Sequence, residues 1–160
     1  MADNFLLRPA SSADLRGLNA LERASFSDPW TAAQLAHTLA DASTISLVIE
    51  EPTGVLVGYA FGRIIVDEAE ILTLAVLPRR RRHGLGRRLL DGVLASMAER
   101  SVRTVWLEVR VSNEGARAMY AQAGFIASGV RRSYYRRPVE DALVLKRELS
   151  TCASARPPLR

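Results

Sequence analysis

Arg81-Arg82-His83-Gly84-Leu85-Gly86 stands between an extended apolar run, Glu70 to Leu77, and an amphipathic stretch that opens at Leu85. Its composition runs against local preference. A helix start carries unpaired N–H groups and the positive end of the backbone dipole. Yet Arg79, Arg80, Arg81, Arg82, Arg87 and Arg88 gather there with no acid expected beside them. An anion is the partner such a segment implies. Glycine at 84 and 86 lets the backbone approach closely, so that successive N–H groups can wrap a pyrophosphate as other phosphate-binding helix starts do. The third glycine of the dinucleotide fingerprint is missing, and so is the Gly-Lys-Ser/Thr of a P-loop. Taken alone, two glycines behind basic residues also suit an ordinary loop.

Working outward, apolar spacing orders the rest of the chain. Phe5 to Arg8 reads as a first strand, and Ser11 or Ser12 can cap a helix through Leu15, Leu18 and Leu21. Phe26-Ser27-Asp28-Pro29-Trp30 interrupts it, and Thr31 to Leu39 reads as a second helix. Strands Ile45 to Glu50 and Val55 to Val66 flank the turn Glu51-Pro52-Thr53-Gly54, and Glu70 to Leu77 follows as the fourth strand. A helix from Leu85 to Arg100 shows its stripe at Leu89, Leu90, Val93, Leu94 and Met97. Then come a strand, Thr104 to Val109, a helix, Asn113 to Ala123, and a strand, Phe125 to Val130. A loop with Ser133-Tyr134-Tyr135 leads to a last strand, Ala142 to Glu148. This order predicts an α/β sandwich around a mixed sheet, one domain over residues 1–149, with a disordered tail over 150–160.

Composition narrows the function classes. At 160 residues with 48% hydrophobic and 24% charged residues, the chain reads as one globular domain without an apolar run long enough for a bilayer. The N-terminus lacks the pattern of a signal peptide, which predicts a cytoplasmic protein. One cysteine, Cys152, permits no internal disulfide, and two histidines, His37 and His83, assemble no zinc spacing, so no metal is expected. The net charge of +5 is carried by arginine, since Lys146 is the sole lysine. Guanidinium groups suit a phosphate-bearing cofactor, a ribosomal surface or nucleic acid alike, although no recognised nucleic-acid motif accompanies them.

Arg81-x-x-Gly84-x-Gly86 between strand and helix resembles the Arg/Gln-x-x-Gly-x-Gly/Ala motif of the GNAT acetyltransferases. The similarity extends further along the chain. Trp106-Leu107-Glu108-Val109-Arg110-x-Ser112-Asn113, then Ala116, Tyr120, Gly124 and Phe125, then Arg131-Arg132-x-Tyr134-Tyr135 and Glu140-Asp141-Ala142, resemble its RimI-like branch. Members of that branch acetylate protein N-termini, notably the N-terminal alanine of a small-subunit ribosomal protein. Arg80, Leu77 and Thr73 depart from the residues usual in the family.

The resemblance implies a GNAT fold, a largely antiparallel mixed sheet whose fourth and fifth strands splay apart to admit acetyl-CoA as cosubstrate. The main chain around Arg81, Arg82, His83, Gly84, Leu85, Gly86 and Arg87 would cradle the pyrophosphate. Backbone groups of Leu74, Ala75 and Val76 would pair with the pantetheine arm, which Asn113 would also contact. Glu108 takes the position of the general base. A carboxylate amid Val105, Trp106, Leu107 and Val109 also stands out in a strand interior. Tyr120, seven residues after Asn113 and on the same helical face, takes that of the acid that meets the departing thiolate. As core residue and N-cap, Tyr120 and Asn113 have plain structural uses as well. Phe26 and Trp30 on one side, and Tyr134 and Tyr135 on the other, would flank the acceptor peptide. The resemblance implies a protein N-terminus as acceptor, that of a ribosomal protein in the sense of that branch, with no DNA or membrane partner. The alternatives are a GNAT enzyme acting on lysine or a small amine, a nucleic-acid-binding module, or an acyl-CoA binder without catalysis.

Overall fold

The computed structural model describes residues 4–150. Of the tail expected to be disordered, 150–160, residues 151–160 lie outside the described residues. Strands β1 (Leu6–Pro9), β2 (Thr44–Glu50), β3 (Leu56–Ile65), β4 (Glu68–Val76), β5 (Thr104–Arg110), β6 (Ile126–Tyr135) and β7 (Glu140–Glu148) form one sheet in the order β1-β2-β3-β4-β5-β7-β6. Helices α1 (Leu15–Ser25), α2 (Ala32–Ala40), α3 (Leu85–Glu99) and α4 (Glu114–Gln122) cover it. Every neighbouring pair is antiparallel except β4 with β5, which are parallel and joined through α3.

The sheet separates two cores. On one face Leu18 and Leu21 of α1 and Leu35 of α2 pack against Val48, Tyr59, Phe61 and Ala75. On the other, the stripe foreseen on α3 buries Leu85, Leu89, Leu90, Val93, Leu94 and Met97 against Ile49, Val57, Ile71 and Leu107. Apolar side chains repeating at helical spacing leave the helix no stable position but flat on the sheet. Gly58 marks how closely they meet: a Cβ there would lie 3.0 Å from the Ala75 carbonyl oxygen, Ile49 and Leu89.

Two elements differ from the sequence expectation. Arg131 to Tyr135 continue β6 as strand, so Tyr134 and Tyr135 sit at its end and not in a loop. β6 is an edge strand exposed nearly throughout, and two register shifts break its pairing with β7, so no alternation of burial announces its length. β7 begins at Glu140, ahead of the expected Ala142.

Candidate active site

The site starts as a defect in the sheet. β4 and β5 pair only from Glu68↔Thr104 to Ile71↔Leu107, after which β4 runs on to Val76 and β5 to Arg110 without meeting. β5 stays tied to β7 up to Arg110↔Ala142, and β4 to β3 up to Val76↔Gly58, so the seam itself opens. The β3–β4 register shifts between Phe61 and Gly62, which leaves Leu72 as an extra residue on β4 where the gap begins. A bulge bends its strand and increases the local twist, and so turns β4 away from β5. At its far end the Leu77 N–H donates to the Val57 carbonyl at 2.8 Å. Backbone polarity alternates along a strand, so Leu74 and Val76 turn their N–H and C=O groups into the gap, while those of Ala75 turn to β3.

At the mouth of the gap lies the Arg81–Gly86 loop. Gly84, at φ 75°, is the N-cap of α3 and takes a left-handed conformation that its lack of Cβ permits. The first bond of the helix runs from the Arg88 N–H to the Gly84 carbonyl, so the N–H groups of Gly84, Leu85, Gly86 and Arg87 have no acceptor within it. A Cβ on Gly86 would stand 3.3 Å from Met119 Sδ and 3.8 Å from Leu74 and Val76, so glycine keeps the space between α3, α4 and β4 open. The His83 Nδ1 lies 2.8 Å from the Arg81 carbonyl, and the Arg81 Nε donates to the Val76 carbonyl at 3.1 Å. Leu85 is buried, which leaves its main chain alone to face a ligand.

The arginines there are less free of acids than the local sequence suggests. Glu51, distant in sequence, approaches Arg80 at 2.6 Å and Arg79 at 4.0 Å, and Asp91 pairs with Arg87 at 2.9 Å. Arg82 has no carboxylate within 4.0 Å among the described residues.

Glu108 projects from β5 on the face opposite Val105, Leu107 and Val109, which are buried in the α3 core. The carboxylate that stood out among apolar neighbours has an ion-pair partner that the local sequence does not announce. Arg131 Nε of β6 lies 2.6 Å from it, and the two strands meet across β7. Tyr134 is held above the usual phenol value by its hydrogen bond to Glu108, then by burial. Tyr135 is pushed up to about 12 by burial and then by the Glu108 charge, and the Arg110 guanidinium lies 4.3 Å above its ring. Tyr120 of α4, buried with its ring edge-on to Phe125 at 5.7 Å, is held up by burial and then by Tyr135. The structure thus gathers Glu108, Tyr134, Tyr135 and Tyr120, which come from three elements, around one end of the gap. Asn113 caps α4, its side chain accepting from the Ala116 N–H at 3.2 Å.

Two connections expected to flank an acceptor meet each other. Ser27 Oγ donates to the Arg137 carbonyl at 2.7 Å, linking the α1–α2 segment to the β6–β7 turn. Phe26 is exposed, whereas Trp30 packs its ring against Phe61 and the α1–α2 core, so it also serves as a plug. Sequence reasoning passed over Glu22 and Arg110. Glu22, 1% exposed, accepts from the Trp30 N–H at 2.7 Å and from the Tyr59 hydroxyl, which lies 3.2 Å from the Thr73 hydroxyl of β4. Burial pushes the Glu22 carboxyl up against the pull of these hydrogen bonds. A glutamate four residues after Leu18, on the apolar face of α1, was the available signal. Arg110 donates to the Pro138 carbonyl at 3.1 Å and to the Arg136 carbonyl at 3.2 Å, fixing the β6–β7 turn from below.

Among the described residues no three His, Cys, Asp or Glu side chains converge as metal ligands, and no helix is long and apolar enough to cross a membrane. A sheet opened between its parallel strands, with a glycine helix start at the mouth, is the architecture of the acetyltransferase class to which the chain's sequence also points. Residues 15–125 match the Acetyltransferase (GNAT) family, and the chain belongs to that family of N-acetyltransferases. Within it the chain is similar to the N-alpha-acetyltransferase RimI of Mycobacterium tuberculosis, 39% identical over 125 residues, 76% of this chain and 77% of the relative. It is also similar to the [ribosomal protein bS18]-alanine N-acetyltransferase of Escherichia coli, 39% identical over 101 residues, 61% of this chain and 67% of that one. The crystal structure of the E. coli ribosomal-protein-S18-alanine N-acetyltransferase superposes with a TM-score of 0.87 at 29% identity, covering 94% of this chain and 97% of the other.

Proposed function

We propose that the chain transfers the acetyl group of acetyl-CoA to the N-terminal α-amine of a protein, with a ribosomal protein that begins with alanine as the first acceptor to test. The observation that carries this reading is the gap between β4 and β5, which Glu108 and Tyr120 would flank and the linked Ser27 and Arg137 segments would border on the acceptor side. The names of the relatives direct it to an α-amine.

The fit to acetyl-CoA rests on the open cradle. Free N–H groups at the start of α3 suit the pyrophosphate, and the outward groups of Leu74 and the Val76 N–H offer a strand edge to the pantetheine arm, the Val76 carbonyl being engaged by Arg81. The cosubstrate supplies an activated thioester carbonyl. Around it, a main-chain N–H of Leu74 or Val76 would hold the carbonyl oxygen. Glu108 would accept the proton of the incoming amine, directly or through a water. Tyr120 would hydrogen-bond the sulfur. A modest base suffices for this acceptor. With a pKa near 8, roughly a fifth of α-amines are already neutral at about pH 7.4, against about a thousandth of lysine amines.

Two peptides decide the acceptor class, one with only a free α-amine and one with only a free lysine amine, each incubated with acetyl-CoA and read by mass spectrometry. Acetylation of the α-amine peptide is expected, and labelling confined to the lysine peptide refutes the reading. Gly86→Val tests the donor side. Its side chain would fill the space beside Met119, Leu74 and Val76. Saturating acetyl-CoA at about 100 times its Kd is expected to stabilise the unsubstituted protein by about 2.7 kcal/mol in thermal unfolding and the variant by far less. An equal shift in both would place the cosubstrate elsewhere.

A further inference from the structure

Glu22 stands where a helix lying on a sheet should carry an apolar side chain. It follows Leu21 and comes one turn after Leu18 on the buried face of α1, and is itself 1% exposed. No cation stands within 4.0 Å of its carboxylate among the described residues. Taking a carboxylate out of water without a counter-charge is costly, and a leucine of similar volume would fill the space without that cost. Its contribution therefore lies in the groups it holds.

What it holds is the connection from α1 to α2. The Glu22 main-chain carbonyl accepts from the Phe26 N–H at 3.0 Å, and its carboxylate from the Trp30 N–H at 2.7 Å. One residue thus closes both ends of the segment whose two aromatics would flank the acceptor. Pro29 has no N–H to add, and the middle of the segment is tied outward, from the Ser27 hydroxyl to the Arg137 carbonyl. The other carboxylate oxygen takes the Tyr59 hydroxyl, which lies 3.2 Å from that of Thr73. Thr73 follows the extra residue Leu72 on β4, just past the last β4–β5 pair, Ile71↔Leu107. The two oxygens of one buried side chain therefore connect the acceptor-side segment to the strand that edges the gap.

We infer that Glu22 is a positioning residue for the acceptor: it sets the Phe26–Trp30 segment against β4, and with it the line along which an amine reaches the gap. This rests on the α-amine reading above. Too deeply buried to meet a substrate itself, Glu22 acts through the Trp30 main chain and through Tyr59. The helix that would hold the cosubstrate pyrophosphate, α3, packs on the other face of the sheet. Loss of the carboxylate should therefore weaken productive binding of the acceptor and spare that of acetyl-CoA. The replacement decides how much is lost. Glu22→Leu leaves the Trp30 N–H without its acceptor. In Glu22→Gln the amide oxygen can keep the Trp30 N–H while the amide nitrogen donates to the Tyr59 oxygen. Tyr59 then turns its own hydrogen to Thr73, and both branches survive.

Initial rates of the full-length protein, with the α-amine peptide and acetyl-CoA varied in turn, test it. In Glu22→Leu the peptide KM is expected to rise about tenfold, with the acetyl-CoA KM within about twofold of the unsubstituted value. In Glu22→Gln both are expected to stay within about threefold. Tyr59→Phe keeps the ring and the Trp30 branch but cuts the branch to Thr73, and should raise the peptide KM alone by about threefold. Should Glu22→Leu not fold, Tyr59→Phe carries the test. A peptide KM unmoved by these two substitutions, an equal rise in both KM values, or a glutamine variant as impaired as the leucine one overturns the inference while leaving α-amine transfer standing. No acetylation of the peptide by the unsubstituted protein overturns the parent reading instead.

Discussion

Glu108→Gln is expected to lower kcat about 100- to 1,000-fold near pH 7 with the α-amine peptide, because glutamine keeps the shape of the side chain but cannot take a proton. The deficit should depend on pH in a definite direction. An α-amine with a pKa near 8 is mostly protonated at pH 7 and mostly neutral at pH 9, so the service a base performs declines as pH rises. About tenfold of the deficit should therefore be recovered between those limits. Arg131 complicates the substitution, since it loses its carboxylate partner 2.6 Å away. Displacement of Arg131 would lower the rate equally at all pH values, so the slope of the deficit separates the two effects. Rates equal to those of the unsubstituted protein would remove Glu108 from the chemistry.

Tyr120→Phe is expected to slow turnover about 10- to 100-fold, with little change in thermal stability, since the ring and its contact with Phe125 remain. The buried environment refines what the hydroxyl does. Burial, and then Tyr135, hold the phenol above its ordinary value, whereas a free thiol ionises near 8.5. Full proton transfer from this phenol to a thiolate runs uphill. On the proposed mechanism Tyr120 would therefore stabilise the sulfur as a hydrogen-bond donor, and the proton that the amine gives to Glu108 would be the one returned to the thiolate. A group whose value is raised stays protonated over a wider alkaline range. The rate should consequently show no loss traceable to Tyr120 up to about pH 10. A fall near pH 9 present in the unsubstituted protein and absent in Tyr120→Phe would contradict this.

The helical stripe of α3, the positions of β4 and β5 and the glycine helix start were legible because each is a local pattern that burial enforces. What escaped depends on contacts between distant residues. Glu51 lies nearly thirty positions before the arginines it neutralises, and nothing in the loop itself announces it. Glu108 reads as a desolvated carboxylate only until β6 folds back across β7 and brings Arg131 to it. The length of β6 was invisible because an exposed edge strand with broken register needs no alternation. Glu22 is the instructive omission. Its place on the apolar face of α1 could be seen, but the tie it forms, from the Trp30 backbone through Tyr59 to Thr73 of β4, exists only in three dimensions.

The sheet could accept another strand at three places, and it treats them unequally. β1 is four residues long and ends in Pro9, which has no N–H to give a newcomer. β6 offers a long outer edge, but its pairing with β7 is twice out of step, and it ends among arginines. The third is interior: a short stretch of β4 from Leu72 to Val76, flanked by apolar side chains and facing a partner strand that has turned away. The perimeter edges are thus short and closed by a proline or irregular in register, whereas the interior edge keeps its register with β3 from Thr73 to Val76 and leaves room one strand wide. An extended ligand seated there would complete the sheet from within, as a strand does from an edge.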